Sequence, residues 1–389
     1  MNERRNFLKS LSSAAMGAAA LVGWPGWAQV IGQRHSIELP GEDGMIVRSL
    51  RFLDLETPVD YFDSWLTPVS HFFVRNHMHE PVELNAGDWR LTVGGEVDKT
   101  ETFSLRELAQ LPVHSVVNTL ECAGNGRGLY RPQVPGIQWQ KGAVSTARFS
   151  GPRLADVLHR AGVKSNGKHV MFRGLDEVPG KVPPFIRSIP IEKALDTETV
   201  IATHMNGDPL TKHHGFPARA LVPGWIGAAS VKWLTEIKVL ESEFVGNFMS
   251  PGYRFPNQPV KPGDSVKPED THALTGLKVK SVISGPLDGT ILKAGRISVH
   301  GVAWAGEADI VKVEISTNGG STWNAAALGH EQSRFAWRLW NYAWTAKRGD
   351  YVIQSRATDS QGRVQPRDAV WNPSGYLYNA IDEVKIHVG

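Results

Sequence analysis

The one cysteine of the chain, Cys122, lies between an apolar run and a loop with three glycines, within residues 118–128. Glycines let a backbone approach a bulky group closely, and a nearby arginine, Arg127, would lower the pKa of a thiol. The cysteine could therefore be a nucleophile, a soft-metal ligand or a buried small hydrophobic residue. Leu129 stands where the dinucleotide fingerprint needs a third glycine, and no Gly-Lys-Ser/Thr of a phosphate loop follows.

Three histidines form a second candidate group. Arg75, His77 and His79 alternate along the chain, so on a strand their side chains would share one face. Together with His214, the two histidines could form a three-histidine zinc site of a hydrolase. Taken alone, each histidine is more often structural, and neither a partnering carboxylate nor the helical spacing of metalloproteases accompanies them.

Basic residues accompany each of these motifs. They would repel a metal cation, but they would suit an anionic cofactor or substrate through charge-assisted hydrogen bonds. The residues are Arg75, Arg127, Arg219 and Lys232. The sequence therefore favours an anion site, while a zinc site stays open as an alternative.

Residues 1–28 predict an export signal. Arg4 and Arg5 precede Phe-Leu-Lys, and a weakly apolar run follows over residues 11–22. That run is too short to span a membrane, which needs about 20 residues. Gly26 and Ala28 place small residues at a cleavage site. The pattern resembles the twin-arginine type, so we expect a mature protein in the periplasm.

Composition excludes several classes of protein. Apolar residues make up 41% and charged residues 21% of the 389 residues, which is typical of globular domains. The net charge of +3 favours neither nucleic acid nor an anionic membrane surface as partner. No segment after the signal is apolar for long enough to predict membrane insertion. A single cysteine also excludes an intrachain disulfide, so the fold depends on packing.

The pattern of residues 29–255 predicts a mixed α/β domain. The chain as a whole is predicted to belong to the α+β class. Apolar β-rich stretches alternate irregularly with short helix patterns, and no long βαβ alternation is visible. The predicted helices cover residues 104–110, 153–161 and 191–195, and the clearest strands cover residues 116–120 and 218–222.

The composition changes after residue 255. Four prolines and several charges predict a linker over residues 256–273. Regular short strands follow in residues 274–389, and Asn318-Gly319 is a strong hairpin signal. This pattern predicts an immunoglobulin-like β-sandwich. Its strands are predicted at residues 277–283, 297–304, 310–316, 335–344, 351–357 and 384–388.

These motifs resemble the sulfite oxidase family of molybdenum enzymes, in order and over nearly all of the mature chain. Phe-Val-Arg-Asn-His at residues 73–77 resembles the first pterin-binding stretch, and Glu-Cys-Ala-Gly-Asn at residues 121–125 resembles the segment with the cysteine ligand. Further resemblances lie at residues 174–176, 214–219 and 230–233, and in the second domain at residues 316–323 and 336–340.

The resemblance implies a role for each matched residue. Cys122 would ligate molybdenum, with two more sulfurs from the pterin dithiolene. The pterin and its phosphate would be held by Phe73, Val74, Asn76, His77, Asp176, His214, Arg219, Ser230, Val231 and Lys232. The substrate pocket would be lined by Arg75, Arg127, Trp139 and Tyr253. The second domain would form a homodimer.

One position departs from the family pattern. Animal members have a pocket arginine in a Trp-Asn-Leu-Arg-Gly context, where this chain has Trp-Asn-Pro-Ser-Gly at residues 371–375. Ser374 carries no charge, and Arg367 is the nearby arginine that could compensate. The departure keeps open a second substrate class, because bacterial members include sulfane dehydrogenases that act on carrier-bound sulfur.

The expected function is oxidation of sulfite to sulfate by oxo transfer at molybdenum. The electrons would pass to a separate cytochrome c, because the chain has no Cys-x-x-Cys-His motif for a c-type haem. Residues 29–70 are too few for a b-type haem domain, so we expect no haem in this chain. The alternatives from other classes are a zinc hydrolase and an exported binding module.

Overall fold

Strands dominate residues 44–389, which are the residues that the computed structural model describes. The many glycines and prolines explain this, since both residues disfavour helix interiors and suit turns. The predicted export signal lies outside the described residues. In the part of the chain described here, no helix is long and apolar enough to cross a membrane.

Residues 44–256, which we call the first part of the molecule, contain fourteen strands. In chain order they are β1 (Ile46–Ser49), β2 (Asp54–Glu56), β3 (Arg90–Gly95), β4 (Glu101–Ser104), β5 (Val113–Glu121), β6 (Val144–Pro152), β7 (His169–Gly174), β8 (Ile186–Pro190), β9 (Val200–Ala202), β10 (His204–Met205), β11 (Asp208–Pro209), β12 (Arg219–Leu221), β13 (Leu234–Leu240) and β14 (Arg254–Pro256).

Ten further strands follow residue 270. They are β15 (Thr271–Ala273), β16 (Lys280–Gly285), β17 (Ile291–Leu292), β18 (Gly295–Trp304), β19 (Ile310–Ser316), β20 (Asn324–Ala325), β21 (Ala327–Leu328), β22 (Arg338–Ala346), β23 (Gly349–Asp359) and β24 (Asp382–Val388).

Two sheets carry the first part of the molecule. One has the order β4-β3-β13-β7-β8, with β13 parallel to β3 and the other neighbours antiparallel, and the second has the order β11-β10-β6-β5. Strand β5 pairs with β6 along its whole length and ends at Glu121, directly before the cysteine. The second sheet therefore fixes the position at which the glycine-rich loop begins.

The three predicted helices are present and slightly shorter than predicted. They are α1 (Leu105–Leu108), α2 (Leu154–Ala161) and α3 (Ile191–Ala194). Helix α1 begins with a capping box, in which Ser104 and Glu107 satisfy each other's backbone N–H groups. Helix α2 buries its apolar face and ends at Gly162, which has a left-handed backbone conformation.

The C-terminal strands form two sheets around a shared core. Their orders are β16-β18-β22-β21 and β17-β24-β23-β19-β20, and buried residues of both sheets, such as Val299 and Ile353, belong to one apolar cluster. The hairpin at Asn318-Gly319 is confirmed, but β19 pairs with β20 only from Asn324 on, so its loop is longer than predicted. The immunoglobulin-like assignment stays a prediction.

The first part and the C-terminal sheets share the largest apolar core. Ile237 of β13 belongs to the same buried cluster as Trp304 of β18 and Trp337. Residues 256–273, the predicted linker, begin and end in the paired strands β14 and β15. The chain therefore returns on itself there before entering the C-terminal sheets, and the exact domain bounds stay predictions.

Candidate functional site

One cavity brings most of the predicted site residues together. It is partly open, and its volume of about 670 Å³ includes open solvent. The predicted residues that line it are Phe73, Arg75, Asn76, His77, Cys122, Asp176, His214, Arg219, Ser230, Val231, Lys232 and Tyr253. Three others, Val74, Arg127 and Trp139, lie behind its wall rather than on it. Segments far apart in the sequence therefore meet as a single site.

The loop after β5 fixes the position of Cys122. The backbone N–H of Cys122 donates to the Ala143 carbonyl at 2.9 Å, and its own carbonyl accepts from Asn125 N–H at 2.8 Å. The side chain is a free thiol and the residue is 8% exposed. Burial raises the pKa of this thiol above its ordinary value, although Arg75 and Arg127 oppose the shift. Arg127 does act to lower the pKa, as expected, but burial outweighs the two charges, so the expected net lowering is wrong.

Arg127 lies behind the loop and is held by backbone carbonyls. Its Nε donates to Ser374 O at 2.9 Å and its Nη1 to Ile137 O at 3.1 Å. A side chain at Gly124 would come within 2.6 Å of the guanidinium, which explains the glycine there. Ser374, the position that departs from the family pattern, thus contacts Arg127 directly. Arg367 is exposed and does not line the cavity.

Arg75 is anchored by a residue that the sequence analysis missed. Its Nη1 lies 3.2 Å from the Oδ1 of Asp54, and the same oxygen accepts from Asn76 N–H at 3.2 Å. Asp54 is buried in β2, and its burial raises the pKa of this carboxyl while Arg75 opposes that shift. Nothing local in the sequence marks Asp54, since the pair is 21 residues apart.

The alternative of a three-histidine zinc site is wrong. The chain around Arg75 makes only isolated bridges at Val74 and His79 instead of a strand, so the alternating residues do not share a face. His79 is exposed, with its ring 4.9 Å from that of Phe52, and lies outside the cavity. Among residues 44–389, no group of three His, Cys, Asp or Glu side chains could hold a metal ion.

His77 instead pairs with Tyr253 at the cavity. Its ring stacks on Phe185 at 4.2 Å, and its Nε2 is hydrogen-bonded to the Tyr253 hydroxyl. Burial, with the charge of Arg75, lowers the pKa of His77 well below its ordinary value, so the ring stays neutral. A neutral imidazole with its proton on Nε2 donates to the hydroxyl oxygen, which orients the tyrosine and leaves its own O–H free to donate.

A buried arginine that the sequence analysis missed lies against Tyr253. Arg187 is 2% exposed, its guanidinium carbon lies 4.9 Å from the Tyr253 ring centroid, and it donates to Phe248 O. Its Nε has no hydrogen-bond partner within the described chain. Burial lowers the pKa of Arg187. A basic residue within the apolar strand β8 was the sequence signal that could have found it.

Two further basic residues line the cavity: Arg219 is buried and Lys232 is half-buried. Arg219 donates to His214 O at 3.0 Å and to Ser230 O at 2.9 Å, while its Nε has no partner in residues 44–389. Burial lowers the pKa of Arg219 to about 9. Lys232 donates to His213 O at 2.7 Å and to the Asn76 side chain, and burial lowers its pKa to about 7.

Two carboxyls balance part of this charge. Burial raises the pKa of Asp176 to about 6, against the charge of Lys232. Glu80, which the sequence analysis missed, bonds Asn76 Nδ2 and His213 Nδ1, each at 2.9 Å. Although burial opposes it, the hydrogen bond with His213 and the charge of Lys232 lower the pKa of Glu80 to about 2.

His214 and Trp139 contribute mainly to the structure of the cavity wall. Burial lowers the pKa of His214 to about 3, so the ring is neutral, and its Nε2 lies 3.2 Å from Val69 O. Trp139 is fully buried in the same cluster as Cys122, and its Nε1 has no hydrogen-bond partner among the residues described. Trp139 therefore supports the wall behind the cysteine.

Comparison with known protein families gives two matches. Residues 77–248 match the oxidoreductase molybdopterin binding domain, and residues 271–389 match the Mo-co oxidoreductase dimerisation domain. The first match contains most of the cavity-lining residues, and the second covers the C-terminal sheets. The two matches leave the short segment around β14 between them.

Similar proteins include sulfite oxidases from animals and plants. The mitochondrial sulfite oxidase of Rattus norvegicus is 35% identical over 359 residues, which cover 88% of this chain and 65% of the rat protein. The chain thus spans about two thirds of the length of that relative. The sulfite oxidase of Arabidopsis thaliana is 30% identical, covering 91% of this chain and 97% of the plant protein.

A solved structure has the same overall fold. The crystal structure of the sulfane dehydrogenase SoxCD from Paracoccus pantotrophus is similar with a TM-score of 0.76 and 26% identity, over 96% of this chain and 95% of that chain. The similarity therefore includes both the cavity-bearing part and the C-terminal sheets.

Proposed function

Because the chain belongs to the sulfite oxidase family of molybdopterin-dependent oxidoreductases, we propose that it oxidises sulfite to sulfate by oxo transfer and passes the electrons to a separate c-type cytochrome. The observation that carries this proposal is the cavity in which the one cysteine shares a lining with Arg75, Arg219 and Lys232. The relatives named sulfite oxidase support the choice of sulfite.

The residues of the cavity fit a molybdenum pterin. A single thiol cannot complete a metal site, so a bound group would have to bring further ligands. The Nε of buried Arg219, which has no partner among residues 44–389, could bind an anion such as a pterin phosphate. Asn76, Asp176, Ser230 and Lys232 would hold the pterin beside it. When bound, the cofactor supplies the oxo transfer and the two-electron redox chemistry.

The chain's own part is to bind and orient the anion. Sulfite is strongly hydrated, and burying it is costly unless fixed cations replace its water. Arg75, held by Asp54, would offer charge-assisted hydrogen bonds, and Arg127 adds positive charge from behind the wall. Tyr253, oriented by His77, would donate a hydrogen bond into the cavity.

The place and assembly of the protein complete the proposal. The match of residues 271–389 to a dimerisation domain supports a homodimer. The twin-arginine pattern of residues 1–28 supports export of the folded protein to the periplasm. There a soluble cytochrome c would take the electrons.

A second candidate substrate is sulfane sulfur bound to a carrier. Ser374 stands where animal members have an arginine, and its carbonyl takes a hydrogen bond from Arg127, so the pocket has one fixed cation fewer. The similarity to a sulfane dehydrogenase agrees with this choice.

The deciding measurement is an assay of the purified protein. We expect stoichiometric molybdenum by metal analysis and sulfite-dependent reduction of cytochrome c or ferricyanide. Reduction with a carrier-bound persulfide but not with sulfite would favour the second candidate. Zinc, or no metal at all, in an active preparation would contradict both.

Replacing Arg75 by glutamine is expected to raise the KM for sulfite about 10- to 100-fold, with a smaller change in kcat. The physical reason is the loss of a charge-assisted hydrogen bond, which contributes about 1.5–3 kcal/mol. Steady-state kinetics with varied sulfite measures the effect. The double variant Arg75→Gln with Asp54→Asn is the control, because it removes the buried carboxylate that the single variant leaves unpaired. An unchanged KM would exclude Arg75 from the anion site.

A further inference from the structure

A buried carboxylate lies directly beside the cysteine loop. Glu121 is the last residue of β5 and precedes Cys122. Its Oε1 accepts from Lys280 Nζ at 3.1 Å and from Asn125 Nδ2 at 2.9 Å, and its Oε2 accepts from Trp304 Nε1 at 2.8 Å. All of these side chains are buried, with Lys280 only 4% exposed. The carboxylate therefore depends on these donors rather than on water.

The donors come from both parts of the molecule. Asn125 belongs to the cysteine loop itself, whereas Lys280 lies in β16 and Trp304 in β18 of the C-terminal sheets. Lys280 and Trp304 are opposite each other in the antiparallel β16–β18 ladder, so one rigid pair of strands presents both donors. The C-terminal sheets thus reach the residue next to the cysteine.

The same loop is held at two further points. Asn125 Oδ1 accepts from Ala143 N–H at 3.1 Å, which ties the loop to the residue just before β6. Leu377, near the C-terminus, donates its N–H to the Ala123 carbonyl at 2.8 Å. The loop therefore lies between β6 on one side and C-terminal segments on the other, with Glu121 at the centre of the contacts.

We propose that Glu121, Lys280 and Trp304 form a clamp through which the C-terminal domain holds Cys122 in the position that binds the metal. These are positioning residues, since they act through the loop and do not line the cavity. Removing one member of a buried ion pair leaves an uncompensated charge, and Glu121 can regain water only if the loop opens. The proposal rests on Cys122 being the metal ligand, which is part of the proposed function.

The test labels the thiol of the full-length protein with a disulfide reagent such as DTNB. Because the chain has one cysteine, labelling reports only on Cys122. In protein produced without cofactor, we expect Lys280→Met to raise the labelling rate at least about tenfold, because labelling of a buried thiol follows local opening. Lys280→Arg, which keeps the charge, should stay near the wild-type rate. In the holoenzyme, Lys280→Met should release molybdenum faster on gel filtration.

A second ion pair supplies a control in which the lysine is buried but the carboxylate, that of Glu307, is exposed. Lys193 Nζ lies 2.6 Å from Glu307 Oε1, Lys193 is 8% exposed, and this pair also joins the segments matched by the two family models. Lys193→Met should leave the labelling rate unchanged. Equal acceleration in both variants would indicate general loosening and overturn the proposal, as would no acceleration in either.

A folding defect of Lys280→Met must be distinguished from a specific opening of the cysteine loop. If Lys280→Met does not fold, Trp304→Phe keeps the ion pair, removes one donor to Glu121 and should fold with a cysteine that is labelled faster than in the wild type; a wild-type rate in that variant would overturn the clamp. The labelling measurement needs no metal. Failure of the proposed function would therefore appear as missing molybdenum or sulfite activity, and failure of the clamp as an unchanged labelling rate.

Discussion

Replacing Cys122 by serine should reduce sulfite turnover to the background rate while the protein stays folded. The substitution replaces the buried Sγ by an Oγ and keeps the shape of the side chain. The packing of the surrounding cluster, which includes Phe73 and Leu120, is therefore nearly conserved. A serine hydroxyl is a much poorer ligand than a thiolate for a metal that takes sulfur ligands. Sulfite-dependent ferricyanide reduction, with molybdenum content measured on the same sample, gives the result.

Thermal unfolding is the control for this variant. We expect the midpoint of the cofactor-free Cys122→Ser protein to match that of the cofactor-free wild type, because a serine hydroxyl fills nearly the same space and can take over the hydrogen bond from the Gly124 backbone. Cys122→Ala should be as inactive as the serine variant. Normal sulfite turnover by either variant would show that Cys122 is not the metal ligand.

Local signals in the sequence were reliable where the structure they specify is local. The helix predicted at residues 104–110 begins with the Ser104–Glu107 capping box, whose two residues are three apart. The glycine-rich loop was recognised because its residues are contiguous. Strand β5 was predicted from the apolar run at residues 116–120, which is buried throughout.

Side-chain pairs between distant segments could not be predicted in this way. Asp54 anchors Arg75 across 21 residues, and Glu80 bonds His213 across 133 residues. Asp54 stands in a stretch with no motif, and Glu80 directly follows the Arg75–His79 motif without being part of it, so only the fold reveals their partners. Arg187 is similar, since its contact with Tyr253 depends on how β8 packs.

The error at His79 has a different cause. Alternation along residues 72–79 specifies a shared face only if the segment is a strand, and a strand needs a hydrogen-bonded partner along its length. Here the segment finds only isolated bridges at Val74 and His79. The pattern of residue types was correct, but the backbone conformation that it assumed was not.

Replacing Lys232 by methionine should weaken cofactor retention about tenfold or more, yet stabilise the cofactor-free protein at neutral pH. The first effect follows from the loss of a charge-assisted donor to an anion. The second follows from burial, which lowers the pKa of Lys232 from 10.5 to about 7. Between these values the unfolded chain binds more protons than the folded protein, so wild-type stability rises with pH there and is lowest below about pH 7.

Denaturant unfolding of cofactor-free protein between pH 7 and 9 isolates this contribution, because Arg219, with its pKa of about 9, adds a similar rise only above that range. The Lys232→Met variant should lack the rise that the wild type has. Lys212→Met, at an exposed lysine nearby in the chain, should keep it. An unchanged pH profile in Lys232→Met would mean that Lys232 is not forced to lose its proton by burial. It would also remove the reason to conclude that the charges of Lys232 and Arg219 lower the stability of the protein until an anion binds.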